Sequence, residues 1–290
     1  MTTSTTPAIE SVGIVKGHYE CHYLVETLPV LVHLLAMEVV AQGPGEATLK
    51  HPNTDWQLVV HESGPEVPDK PQRNHYGVRV TNNYEVDRAY DYLVAKKEAL
   101  GLRKVVRRRE RAGSYSVFFM EPGGNYWEIE SYENRHLAGL PYEVSYPWAK
   151  PLTEKQFSGR GYIPQAFTHG TIECNDWESS VRFYRAGLGM DVITHVVTPK
   201  PHNIKHPSKP WYVVSLEVPV KNRKYLGPLQ RFTLAVPSPD KLRDAHRGVY
   251  QRRRELAIAE IGEIRETSDG QSFLLCDLNR NWWEVEYVPN

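Results

Sequence analysis

Residues 121–132 read EPGGNYWEIESY and residues 277–287 read DLNRNWWEVEY, the second copy trailing the first by a constant 156 residues. Alternating aromatic, acidic and aliphatic residues after a Gly- or Asn-rich turn predict a β-strand in each place. A strand sends successive side chains to opposite faces. In the first copy Trp127 and Ile129 share one face, and Tyr126, Glu128 and Glu130 share the other. A carboxylate on an enclosed face is costly unless hydrogen bonds, a cationic partner or a metal compensates its charge. On a half-exposed antiparallel sheet the same Glu128 would simply end in water. The strand alone leaves both outcomes open, so the surrounding chain has to decide.

The offset carries backwards without a gap. Residues 74–93, NHYGVRVTNNYEVDRAYDYL, fall on residues 230–249, QRFTLAVPSPDKLRDAHRGV. Both read as a short alternating strand, a polar turn and an amphipathic helix, with Asn82 or Asn83 and Ser238 as N-caps. Earlier still, residues 16–40, KGHYECHYLVETLPVLVHLLAMEVV, correspond after a short insertion to residues 167–192, FTHGTIECNDWESSVRFYRAGLGMDV. Each half therefore repeats strand, helix and several strands twice. The expected fold is α+β, built of tandem βαβββ units, four modules in all. The boundaries that follow are a flexible tail over 1–10, a first domain over 11–135, a Pro- and Tyr-rich connection over 136–165 and a second domain over 166–290.

With 35 basic and 35 acidic residues, the chain carries no bulk field favouring nucleic acid or an anionic membrane. The basic run Arg107, Arg108, Arg109, Arg111 is interrupted by Glu110 and has no aromatic platform, so it reads as a solvated face. Cys21, Cys174 and Cys276 stand far apart without CxxC spacing, which suits a reducing cytoplasm and argues against disulfides or a thiolate zinc site. No stretch is long and apolar enough to span a bilayer, and MTTSTTPAIE has no signal-peptide regions. A nucleophile elbow, a phosphate-cradling loop and a dinucleotide fingerprint are all missing.

Residues 169–192 closely resemble the opening motif of the vicinal oxygen chelate superfamily, whose places are filled by His169, Ile172, Cys174, Asp176, Ser180, Phe183, Tyr184, Leu188 and Gly189. EPGGNYWEIE and DLNRNWWEVE resemble its closing motif, which ends in a metal-binding Glu. The resemblance covers nearly everything but the tail and the connection. It implies that the units form two cup-shaped half-barrel domains, with a divalent metal inside a cup. Carried across residue by residue, the N-terminal half supplies His18, His75 and Glu128 as ligands, with His22 the substitute for His18. The C-terminal half supplies His169, Arg231 and Glu284. A guanidinium offers no lone pair, so the resemblance implies a degenerate, metal-free second cup in which Arg231 neutralises Glu284.

Two histidines and a carboxylate leave about three positions open on a six-coordinate ion, which suits Fe(II) binding substrate and O2 together; Mn(II), Zn(II) and Ni(II) accept the same donors. The stretch LVVHESG leading to NHYGVRV is similar to that of extradiol ring-cleaving dioxygenases, which makes His61 the candidate acid/base. Phe118 stands where those enzymes have a Tyr and Ala112 lies where they have a second His. Phe118, Tyr126 and His22 are the candidate pocket residues. The expected activity is that of a dioxygenase opening a small catechol-like substrate, cytoplasmic, without nucleic-acid or membrane partners and with homo-oligomerisation open. The alternatives are a glyoxalase- or epimerase-like isomerase, in which Glu20 or Glu130 moves the proton, and a metal-free small-molecule binding or resistance protein.

Overall fold

A computed structural model describes residues 6–107, 110, 113–195 and 201–289. The sequence readings of Arg108, Arg109, Arg111, Ala112 and the first five residues lie outside these. Four modules follow one another. The first is β1 (Gly13–Cys21), α1 (Leu24–Leu35), β2 (Glu38–Gly43), β3 (Glu46–Lys50) and β4 (Gln57–Glu62). The second is β5 (His75–Arg79), α2 (Asn83–Lys96), β6 (Lys104–Arg107), β7 (Tyr115–Met120) and β8 (Tyr126–Ser131). After two short helices, α3 (Arg135–Ala138) and α4 (Tyr142–Ser145), the third is β9 (Ala166–Cys174), α5 (Trp177–Arg182), β10 (Asp191–Thr194), β11 (His202–Lys205) and β12 (Tyr212–Glu217). The fourth is β13 (Arg231–Ala235), α6 (Pro239–Gln251), the short β14 (Glu260–Ile261) and β15 (Arg265–Glu266), then β16 (Gln271–Cys276) and β17 (Trp282–Tyr287).

Local chemistry sets these boundaries. The Asn82 side chain accepts from Glu85 N (2.9 Å) while the Glu85 carboxylate accepts from Thr81 N (3.0 Å), a reciprocal cap that starts α2. Ser238 accepts from Lys241 N (3.2 Å), and Pro239 opens α6 at the one place where a missing N–H costs nothing. The two closing motifs form matching turns. Glu121 accepts from Asn125 N and Nδ2, as Asp277 does from Asn281 N and Nδ2. Asn125 Nδ2 also donates to Glu20 O at the end of β1, and Asn281 Nδ2 to Glu173 O at the end of β9. Each closing turn is thus tied to a strand of another module.

The sheet order shows how modules combine. One sheet runs β14-β16-β17-β13-β1-β4-β3-β2, with β15 also on β16, and the other runs β10-β11-β12-β9-β5-β8-β7-β6. The first and last modules in sequence share one sheet, here the outer cup; the middle two share the other, the inner cup. The expectation that each half of the chain closes its own cup is corrected. The joints are antiparallel pairings of β1 with β13 and β5 with β9. Away from the cup faces, the sheets pack through Trp56, Tyr76, Trp127, Phe167, Phe232 and Trp283, with Trp56 stacked on Phe167 at 4.4 Å. Gly17 and Gly170 let these rings reach the strands: a Cβ at 17 would lie 2.7 Å from the Tyr76 ring, and one at 170 would lie 2.6 Å from that of Phe232.

The tail expectation also changes. Ala8 N and Ile9 N donate to Ala186 O and Gly187 O, both at 2.9 Å, Ile9 is buried and Arg252 Nη1 donates to Thr6 O (3.2 Å), so the described part of residues 1–10 is docked. The connection covers the inner cup: Ala138, Leu140 and Val144 pack on Tyr132 and Tyr212. Among the described residues no helix is long and apolar enough to cross a membrane. Loss of the α2 cap in Asn82→Ala is expected to cost about 1 kcal/mol, read as a lower urea midpoint at unchanged m-value.

Candidate metal centre

Strands β9, β5 and β8 lie side by side, and their cup faces bring His169, His75 and Glu128 together. His75 Nε2 is 3.0 Å from Glu128 Oε2, His169 Nε2 is 3.2 Å from the same oxygen, and the two Nε2 atoms are 3.4 Å apart. All three residues are buried. Gly77, opposite His169 in the β5–β9 pairing, makes this possible, because a Cβ there would overlap the imidazole.

Both rings are oriented from behind. His75 Nδ1 donates to Gln72 O (2.7 Å), which can only accept, so that nitrogen carries a hydrogen. His169 Nδ1 faces Glu130 Oε1 (3.2 Å) and Thr168 Oγ1 (3.2 Å), and the ring stacks on Tyr212. Glu130 is itself held by the wholly buried Arg79 at 2.7 Å, whose Nη1 also donates to Ser145 O (2.6 Å) in the connection. A histidine whose outer nitrogen is fixed by a carboxylate or carbonyl is the usual support of a metal ligand.

Electrostatics fits the same conclusion. Burial opposes the His169 imidazolium, but Glu130 and then Glu128 outweigh it and raise the group to about 9. Burial would raise Glu128, yet hydrogen bonds from His169 and His75 hold it well below the usual carboxylate range. With both Nδ1 atoms protonated, two Nε2 atoms and a carboxylate oxygen converge. Protons on the rings relieve the two approaches to Glu128 but not the meeting of the two Nε2 atoms; a divalent ion relieves all three. The three separations are those of donors about 2.1 Å from one ion at angles between right and tetrahedral. The residues therefore fit a divalent metal.

The expected ligand His18 lies on β1 in the outer cup, a different sheet, and His169 stands in its place beside His75 and Glu128. His61, the expected acid/base, is also in the outer cup, because β4 pairs with β1. Of the degenerate set, His169 belongs to the inner cup, whereas Arg231 and Glu284 stay in the outer one. His22 bonds to Val67 O (2.8 Å) beside Asp69 and joins neither group. Phe118 and Tyr126 do reach the inner cup: Phe118 meets the His75 ring edge-on at 5.0 Å, and both pack with Met120 and Val106. The supports Gln72, Arg79 and Tyr212 carried no motif, and Glu130, named in the sequence only as a proton carrier for the isomerase alternative, stands behind His169.

In the outer cup a cation is built in. Arg231 Nε donates to Glu284 Oε2 (2.9 Å), Thr233 Oγ1 lies 2.9 Å from the same oxygen, and Ser272 donates to Oε1 (2.8 Å). His18 Nε2 meets Thr233 Oγ1 (2.9 Å), its Nδ1 meets His61 Nε2 (3.1 Å), and His61 Nδ1 reaches Glu46 (3.0 Å). Burial and the Arg231 charge lower His18, so the chain runs through a neutral imidazole. Register shows that the cups are equivalent. The last-strand residue opposite the position two beyond His75, Arg231, His18 and His169 is Glu128, Glu284, His61 and Val214 respectively. The inner cup thus offers His75, Glu128, His169 and Val214 where the outer cup has Arg231, Glu284, His18 and His61.

No protein-family model matches the chain, and no curated protein matches it. Among solved structures the fold is shared with a protein of Bacillus subtilis subsp. subtilis str. 168 described as a "putative dioxygenase", at TM-score 0.66 and 13% identity over 97% of this chain and 87% of that one. Glyoxalase I of Zea mays shares it at TM-score 0.65 and 12% identity, over 94% and 92%. Both are similar to this chain in fold, the vicinal oxygen chelate fold that the repeated motifs implied.

Two outcomes follow. The metal must displace the His169 proton, so metal affinity is expected to rise up to tenfold per pH unit until about pH 9 and then level off, with proton release seen by calorimetry in buffers of different ionisation enthalpy. Arg231→His should complete a donor set with His18 and Glu284, raising the metal content by one ion per chain.

Proposed function

We propose that the chain is a metal-dependent oxygenase, an Fe(II) enzyme that opens a small catechol-like ring with O2. One observation carries this reading: the inner cup presents two histidines and one carboxylate, with apolar Val214 at the place the outer cup fills with His61. Three donors leave room on a six-coordinate ion for both oxygens of a chelating substrate and for O2, whereas a fourth would close one of those positions. Fe(II) suits this donor set, with Mn(II), Zn(II) and Ni(II) as the other ions it accepts. When bound, the ion supplies Lewis acidity that favours loss of the substrate's hydroxyl protons and a place for O2 to bind beside it.

The chain's own groups do the rest. Gln72 and Glu130 fix the ligand rings, so binding pays no reorientation cost. Phe118, Met120, Tyr126 and Val106 form an apolar wall suited to a flat ring. His61 lies in the other cup, so the proton task that the dioxygenase resemblance gave it has to fall to another group.

The test uses anaerobically purified, Fe(II)-loaded protein and a catechol screen. His75→Ala and His169→Ala are expected to lose more metal affinity than the roughly 10–100-fold typical of losing a group that merely orients a ligand, whereas His18→Ala keeps it. Val214→Glu should retain the ion and lose O2-dependent turnover. Unchanged turnover under strict anaerobiosis would replace the oxygenase with an isomerase.

A further inference from the structure

Arg79 is 0% exposed and makes five hydrogen bonds, as many as its guanidinium has N–H groups. Nε and Nη2 reach Glu130 Oε1 (3.2 and 2.7 Å), and Nη2 also reaches the Tyr212 hydroxyl (2.8 Å). Nη1 leaves the sheet: it donates to Val144 O (3.3 Å) and Ser145 O (2.6 Å), both in α4 of the connection. The guanidinium carbon lies 4.4 Å from the centre of the Tyr132 ring. One buried cation therefore joins the segment that covers the cup to the carboxylate behind the ligand His169.

The α3–α4 part of the connection rests on the cup through a small apolar cluster, Ala138, Leu140 and Val144 against Tyr132 and Tyr212, which is separate from the main core. A segment with so few buried contacts opens at a lower free energy than the sheet beneath it. Opening would strip two acceptors from Arg79 and admit water to its pair with Glu130. In water the hold of Arg79 on Glu130, and of Glu130 on His169, weakens. Loss of a group that orients a metal-bound histidine costs roughly 10–100-fold in metal affinity. Coupling between two sites is reciprocal, so an ion that needs the oriented His169 must favour the docked segment by the same factor.

We propose that Arg79 is a positioning residue that couples the α3–α4 segment to the metal centre: the docked segment fixes Glu130 and His169 for the ion, and the bound ion keeps the segment docked. This rests on the metal-centre reading above and adds a conformational partner to it.

The test follows hydrogen exchange by mass spectrometry in metal-free and Zn(II)-loaded protein. Residues 137–147 contain the amides of Leu140 and Tyr146, bonded within the connection to Arg135 O (3.2 Å) and Tyr142 O (2.8 Å). Zn(II) should slow exchange over 137–147 on the order of tenfold or more, and leave the β2–β3 hairpin of the other sheet unchanged. Arg79→Lys should still bind Zn(II), more weakly, and lose the effect on 137–147. Val144→Asp touches no ligand; it puts a charge into the small cluster, undocks the segment and should weaken Zn(II) binding by roughly 10–100-fold. Should Arg79→Lys fail to fold, Val144→Asp decides alone. Stoichiometric Zn(II) binding that leaves 137–147 unchanged, or slows the hairpin equally, overturns the coupling and leaves the metal centre standing. So does full Zn(II) affinity in Val144→Asp. Failure of the wild type to take up Zn(II) overturns the metal centre and the coupling together.

Discussion

Three electron-rich atoms meet at the centre of the inner cup, and most of what surrounds them exists to hold them there. His75 Nε2, His169 Nε2 and Glu128 Oε2 lie within 3.4 Å of one another in a buried site. Such a meeting is unfavourable without positive charge between the atoms, because neither lone pairs nor a carboxylate gain anything from one another's company in low dielectric. The β5–β9 pairing imposes it nonetheless. Gly77 leaves the space that the His169 ring fills, Gln72 and Glu130 fix the rings, and Arg79 holds Glu130. A cation placed among the three atoms relieves that meeting.

The same frame appears a second time with a different cation. Arg231 occupies the His75 position in the outer cup and brings a permanent charge to Glu284, which burial would otherwise raise and which Arg231 instead pulls below its usual range. A guanidinium cannot be exchanged, and it blocks the position that an ion would need. One scaffold thus carries two solutions to one electrostatic problem, an open one with exchangeable charge and a closed one with fixed charge. Val214 against His61 at the fourth position follows the same division, since an apolar side chain adds no fourth donor.

Much of this was legible in the residues. The repeated strands, the offset of 156 residues and the caps at Asn82 and Ser238 follow from local chemistry, which acts the same way whatever the distant chain does. So did the pairing of Arg231 with Glu284 and the place of His75 and Glu128, because β5 and β8 belong to one module. The partner of that module was not legible. His18 and His169 sit in equivalent strands, each beside a glycine, and nothing local says which one faces His75. That choice is made by antiparallel edges and by which rings pack over Gly17 and Gly170, contacts between modules that a repeat pattern does not encode. The swap moved His61 along with His18, since β4 travels with β1.

The connection explains why the inner cup, and not its twin, has the open site. Leu140 and Val144 lie against Tyr212, and Ser145 O accepts from Arg79, so the segment that joins the halves closes over the sheet that both halves build. Closure keeps water from Glu130 and His169 and so strengthens every charge interaction among them. The raised His169, the depressed Glu128 and the wholly buried Arg79 are consequences of that enclosure. In the outer cup Glu46 stands half in water at the end of the His18–His61 chain, and charge there can be screened. A strong, dry field suits a site that must hold an ion with only three protein donors, and the pairing of the two middle modules puts that site beneath the segment that joins them.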